Sequence, residues 1–424
     1  MKLNKRLTLC GLCVCWALSA ALSGCSDLDA SQTSRESGGT EQTKAESTAT
    51  VSEGTEAADI NTAYLRIPKL SAGFDAREKA AYDFTEPAMK YLEQIGKGLE
   101  ADGAAASAQS NVVKLGDWIV EELVQAGYRK DQIEQQHFAY EDYTGKQQSG
   151  RNIILTVEGE DPSQQILAGA HYDGDGVGDN GSGVALLLAN AVGLAKTKPH
   201  YTVRYIFFDA EEVGREGSNY YSRQMTPEEV RSTLYMINLD SLAFGDYCNI
   251  YGGDMVKIKD ETTTQDDRIE AYTFAADTAE KLGFRVMRTA DLDGYFEAHG
   301  TGPEIQMDTL YTNPWTADHQ SPANYSVPSP ATLPASDHEG FAERDIEYIY
   351  FEATNWFAEG ENDEVEASSY TGFVETFNYS LGLHGMFMNT EHDTWENLNK
   401  YFPGRAEEHF ELYSPLLSAL LLAK

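Results

Sequence analysis

Short apolar runs, each giving way to small or acidic residues, set the pattern of this chain. Residues 152–157 (NIILTV), 165–170 (QILAGA), 201–208 (YTVRYIFF), 234–239 (LYMINL) and 346–351 (IEYIYF) have the length and the β-branched or aromatic content of strands. A further strand pattern lies at 247–251 (YCNIY). Continuous apolarity, as in 165–170, predicts a strand buried on both faces. Between these runs the period changes. Residues 111–127 place Leu115, Trp118, Ile119 and Leu123 on one helical face, between an Asn start and a Gly stop. Residues 184–194 are densely apolar with few turn breakers and predict a buried helix. Thr226-Pro227-Glu228-Glu229 is a capping box with Pro at the first helical position, and residues 268–282 form another helical stretch. Such alternation predicts an α/β fold, a central and mostly parallel twisted sheet with helices on both faces. Residues 291–334, rich in Pro, Thr, Asp and aromatic side chains without a period, are expected to form a lid or pocket wall.

The chemistry stands where the apolar runs stop. His171 follows 165–170 directly, Asp173 lies two residues on, and Asp179-Asn180-Gly181-Ser182-Gly183 leads into the 184–194 helix. The run 201–208 opens into Asp209-Ala210-Glu211-Glu212-Val213-Gly214, and 234–239 ends in Asp240. Parallel strands present their carboxyl ends along one edge, where α/β proteins place their sites. Three strands would therefore bring His, Glu and Asp to one crevice. An imidazole among several carboxylates suits divalent metal, and the set reads as a two-metal hydrolase centre.

AHYD (170–173), DNGSG (179–183), FFDAEEVGREGS (207–218) and INLD (237–240) occur in the order and spacing of the M28 zinc peptidases, and the chain resembles a bacterial aminopeptidase of that family. The similarity runs from about Asn111 to a His-Asp-Thr segment near the C-terminus. It implies a zinc exopeptidase-like fold, peptide substrates trimmed from the N-terminus, and two Zn2+ per chain. It also implies Asp179 as the bridging ligand, with His171 and Asp240 completing one metal and Glu212 plus a C-terminal His completing the other. Glu211 is then the general base, taking a proton from the bridging water and passing it to the leaving amine. Asp173 is expected to orient His171 without ligating. The family's His-Thr-x-x-Asp-Thr reads here as Asn389-Thr390-Glu391-His392-Asp393-Thr394. Strict register places Asn389 at the ligand position, with His384 five residues before it and His392 three after, and His392 is the expected ligand because Asn binds zinc poorly. Ser336-Asp337-His338-Glu339-Gly340-Phe341 resembles the family's Ser-Asp-His-x-x-Phe, so Asp337 and His338 are expected to contact substrate or to support the ligands. A surface loop histidine is the alternative for His338.

Two rival readings accompany the aminopeptidase. One is a single-zinc acyltransferase of the glutaminyl cyclase type, and the other a catalytically impaired M28-like lipoprotein kept for surface binding. A serine hydrolase is disfavoured because Ser182 lacks a G-x-S-x-G elbow. At the N-terminus, Lys2, Lys5 and Arg6, an apolar stretch over 7–22 and Leu22-Ser23-Gly24-Cys25 form a lipoprotein signal. The expected organisation is a signal over 1–24, a lipidated Cys25, a polar flexible tether over 25–60 and a peptidase domain over 61–424. The protein is thus expected outside the cell as a bacterial lipoprotein, anchored to the outer face of the cell membrane. Its formal charge of −36, three units more negative once the signal leaves, argues against nucleic acid as a partner. Cys10, Cys13 and Cys15 leave with the signal, so Cys248 remains without a disulfide partner and is expected to be a small buried residue. His137, His200, His299, His319 and His409 lack paired ligands and are expected to be structural or solvated.

Overall fold

The structure is a computed structural model; residues 68–98, 108–252, 270–288, 291, 306–312, 336–355, 387–388 and 390–424 are described, with backbone alone for 108–110. The strands are β1 (Ile133–Glu141), β2 (Gln147–Val157), β3 (Asp161–His171), β4 (Tyr201–Phe208), β5 (Thr233–Leu239), β6 (Tyr247–Tyr251), β7 (Arg285–Met287), β8 (Thr309–Thr312) and β9 (Tyr348–Thr354). They form one sheet in the order β1-β2-β4-β3-β5-β9-β6-β8-β7. The helices are α1 (Thr85–Gly96), α2 (Ala108–Gln125), α3 (Gly181–Gly193), α4 (Glu216–Gln224), α5 (Pro227–Ser232), α6 (Glu270–Lys281), α7 (Glu339–Ala342), α8 (Trp395–Tyr401) and α9 (Arg405–Leu421).

The two-residue period of the strands divides the core between the sheet's faces. Ile153, Leu155, Ile166, Ala168, Phe207 and Ile237 point to one side, where Leu92 of α1, Ile119 of α2, the apolar residues of α3 and Leu416 of α9 cover them. Their neighbours Ile154, Leu167, Ile206, Phe208 and Met236 point to the other side, against Tyr221 and Met225 around α4 and Phe341 of α7. Helices therefore cover both faces, and the near-continuous apolarity of 165–170 and 201–208 follows from burial on two sides.

The four central strands β4-β3-β5-β9 run parallel, with His171 paired to Phe208, Gly169 to Asn238 and Leu239 to Phe351. That register puts the end of β3, the residues after β4 and the end of β5 along one edge. The sheet is more mixed than expected: β1 and β2 pair antiparallel, β2 meets β4 antiparallel, and β9 meets β6 antiparallel. Strand β8 lies inside the stretch expected to be irregular, too short at four residues to show a period. Residues 292–305 and 313–335, the signal and tether over 1–60 with Cys25, and His299, His319, His384 and Asn389 lie outside the described residues. Cys248 is buried on β6, where desolvation pushes its thiol up, away from a reactive thiolate.

Candidate metal centre

His171 is the last residue of β3, and its side chain is 1% exposed. Its Nε2 lies 3.1 Å from Asp179 Oδ1 and 3.4 Å from Asp240 Oδ1, while Nδ1 lies 3.4 Å from Asp173 Oδ1. Neither ring nitrogen makes an aligned hydrogen bond to these oxygens. Donor atoms of His171, Asp179 and Glu212 all lie within 4.8 Å of one another. A buried imidazole with several carboxylates converging on it is an arrangement that suits a shared cation, and N and O donors together suit zinc. The residues present fit the metal.

Local structure explains how each ligand is delivered. The DNGSG turn is tied to the end of β5: Asn180 Nδ2 donates to Leu239 O at 2.8 Å, and Leu242 N donates to Ser182 Oγ at 2.8 Å. Asn180 also caps α3, its side chain accepting from Gly183 N. Ala210 and Ser241 have φ of 62° and 53°. These left-handed residues, each costing roughly 1–3 kcal/mol, immediately precede Glu211 and follow Asp240 and so redirect the chain at the strand ends. Asp173 serves two elements at once. Its Oδ1 accepts from Glu211 N at 3.0 Å and its Oδ2 from Glu212 N at 3.2 Å, which fixes the second acidic loop beside the His171 ring.

The charges are strongly interdependent. Burial lowers the His171 pKa, but the carboxylates of Asp240, Asp173 and Asp179 outweigh it and hold the ring well above its ordinary range. Burial and the Asp240 charge push Asp179 up. Asp240 moves down despite its burial, because His171, Ser336 and Ser241 stabilise its charge. Burial, helped by Asp337, Asp240 and Glu212 against the pull of His171, pushes Glu211 well above the ordinary carboxylate range. Burial and the Asp179 charge likewise raise Glu212, which stands at the solvent side of the group.

The remaining expected residues fall into three places. Asp337 is fully buried among these acids, and desolvation pushes it up to about 7. His338 is no surface histidine: it is fully buried, stacked on Tyr348 and tilted against Tyr350, ring centroids 4.4 and 4.7 Å away. His392 is not within the group formed by His171, Asp179 and Glu212; its side chain is 34% exposed and its Nε2 lies 3.9 Å from Glu391. Among the other histidines, His137 is exposed, whereas His409 is fully buried in α9 with Nδ1 2.7 Å from Leu242 O and its pKa pushed down to about 3 by burial and Arg405.

Asp393 was not among the expected site residues, yet it holds the turn that carries Asp179. Its Oδ1 accepts from Gly178 N at 2.6 Å and its Oδ2 from Asp179 N at 2.9 Å, with only 4% of the residue exposed. Gly176 permits the approach, since a Cβ there would strike Asp179 O and the Asp393 carboxylate. The signal in the sequence was the Asp-Thr pair itself, with Thr394 capping α8. Asp393→Asn would turn one acceptor into a donor facing a buried N–H, a cost of about 1–3 kcal/mol. We expect a lower unfolding temperature together with weaker zinc binding. Unchanged values for both would show that the carboxylate does not hold this turn.

Residues 152–296 match the family model described as peptidase family M28. An aminopeptidase of Pseudomonas aeruginosa strain UCBPP-PA14 is 36% identical over 118 residues, 27% of this chain and 22% of that protein. A probable leucine aminopeptidase 2 of Aspergillus oryzae is 34% identical over 108 residues, 24% of this chain and 22% of that protein. The matches thus span about a fifth of each relative's length. Among solved structures, a Zn-dependent exopeptidase from Parabacteroides distasonis aligns with a TM-score of 0.48 at 18% identity, covering 80% of this chain and 98% of that one. A Porphyromonas gingivalis glutaminyl cyclase aligns with the same score and identity, covering 80% and 97%. His171, Asp179, Glu211, Glu212 and Asp240 all lie inside the segment, about a third of the chain, that matches peptidase family M28.

Proposed function

We propose that this protein is a zinc-dependent aminopeptidase that hydrolyses N-terminal residues from peptides. The observation that carries the reading is the convergence of His171, Asp179 and Glu212 within 4.8 Å at the carboxyl edge of a parallel sheet. The family match and the aminopeptidase relatives support it. Zinc held by these residues would supply Lewis-acid polarisation of the scissile carbonyl and a more acidic water. Glu211 takes the proton of the attacking water and delivers it to the departing amine, a role suited to a carboxylate whose buried, acid-rich surroundings raise its proton affinity. Asp173 orients His171 and fixes the Glu211-Glu212 backbone, while the buried Asp337 and His338 support the ligands.

His171, Asp179 and Glu212 suffice for one ion, with Asp240 beside them. A second ion is part of the proposal and depends on His392, whose neighbour Asp393 is already bonded to the Asp179 turn. Elemental analysis should find two zinc per chain in the wild type and one in His392→Ala, with release of product from aminoacyl-p-nitroanilides falling in parallel. Equal stoichiometry in the two proteins would remove His392 from the ligand set. Zinc-free protein that gains no activity on adding Zn2+ would reject the enzyme reading.

The basic start, the apolar stretch and Leu22-Ser23-Gly24-Cys25 also support an exported lipoprotein held on the membrane through Cys25. Cys25→Ala should shift the protein from the membrane fraction to the soluble fraction. Retention with the membrane would reject the lipid anchor.

A further inference from the structure

We propose that Ser336, backed by Asn238, is a positioning residue for the zinc centre, selecting which oxygen of Asp240 is offered to the metal. The inference rests on the zinc reading above. Asn238 and Asp240 lie two residues apart at the end of β5 and so point to the same side of the sheet. Ser336 precedes α7 and reaches them from the segment before β9. Its Oγ donates to Asp240 Oδ2 at 2.6 Å and accepts from Asn238 Nδ2 at 2.7 Å. All three residues are buried, Asn238 and Ser336 almost completely.

Counting hydrogens fixes the direction of this relay. An ionised carboxylate only accepts, so the 2.6 Å contact uses the single hydroxyl hydrogen of Ser336. Ser336 can then only accept from Asn238, which requires the amide nitrogen on that side. His338 is consistent with this, its Nδ1 lying 3.4 Å from the same amide nitrogen. With Oδ2 engaged, Asp240 presents Oδ1, which faces His171 Nε2 at 3.4 Å and accepts from Ser241 Oγ at 3.2 Å. Oδ2 is thereby turned to the Ser336–Asn238 pair and Oδ1 to the imidazole side, where Ser241 Oγ also reaches it. Without the hydroxyl, the carboxylate can rotate, and Oδ2 is left buried without its donor.

The test is zinc affinity of the full chain by competition with a chromophoric chelator, read beside thermal unfolding of the metal-free protein. Ser336→Ala should weaken zinc binding by about 10–100-fold, the scale for losing a partner that orients a ligand. Ser336→Thr, which keeps the hydroxyl, should bind more tightly than Ser336→Ala. Asn238→Ala should weaken binding in the wild type but add little in the Ser336→Ala background, because the two act as one chain. The relay is overturned if the wild type binds zinc and Ser336→Ala binds within about 2-fold of it, or if the two losses simply multiply. A lower unfolding temperature with unchanged zinc affinity also overturns it, since that is the signature of packing alone. A wild-type chain that binds no zinc rejects the metal centre itself, a different failure.

Discussion

Glu211→Gln should keep its zinc and lose at least ~100-fold in turnover, the scale of a removed general base. Glutamine preserves the volume and the backbone N–H that donates to Asp173, so the loop should hold its place. It cannot take up a proton. Glu211 is not part of the group formed by His171, Asp179 and Glu212, so metal content should be unchanged. Burial and the surrounding acids raise the proton affinity of Glu211, which is what the proposed step uses. A fully metallated Glu211→Gln enzyme with near-wild-type turnover would falsify this role.

The second large effect is expected from His171→Ala, in metal binding and in stability together. The ring stands between Asp173, Asp179 and Asp240, so its removal takes away a ligand and leaves three carboxylates facing one another. Zinc should be lost, and activity should fall to background. In the metal-free protein the loss of this buried partner should cost about 3–5 kcal/mol. The pH dependence has a definite sign. The neighbouring carboxylates raise the folded-state pKa of His171 above the ordinary 6.5, so its stabilisation is fully present below that value and is lost as pH rises through the raised folded pKa. The stability gap between metal-free wild type and His171→Ala should therefore be wider at pH 6 than at pH 9. A gap that is constant or widens with pH, measured by urea unfolding, would show that the ring does not act as a charge partner to these acids.

Periodicity alone located the central strands closely, because strands buried on both faces leave an unbroken apolar record. The run 201–208 coincides with β4, and the capping box at Thr226 opens α5 where its chemistry places it. The edges left a weaker record. In β1 only Ile133 and Phe138 are buried, so the strand reads as polar, and β7 and β8 are too short to declare a period. Helix α9 is buried along most of its length around Pro415, which hides the amphipathic stripe that sequence reading depends on.

The site divides in the same way. The identities of His171, Asp179, Glu211, Glu212 and Asp240 were legible in sequence, as were their positions after strand ends or, for Asp179, in the turn before a buried helix, since parallel strands must present their ends along one edge. Contacts between segments far apart in the chain were not. Asp393 holding Gly178 and Asp179, His338 packed against two β9 tyrosines, and Ser336 donating to Asp240 each join residues with no local pattern in common. A hydrogen bond across 96 or 214 positions has no period to read. The sequence by itself determined which side chains could bind metal and on which strand ends they stand, because hydrophobic period and residue chemistry are local properties. Only the tertiary structure decided which oxygen faces which nitrogen and which buried donors hold them there, because those depend on the closure of the fold.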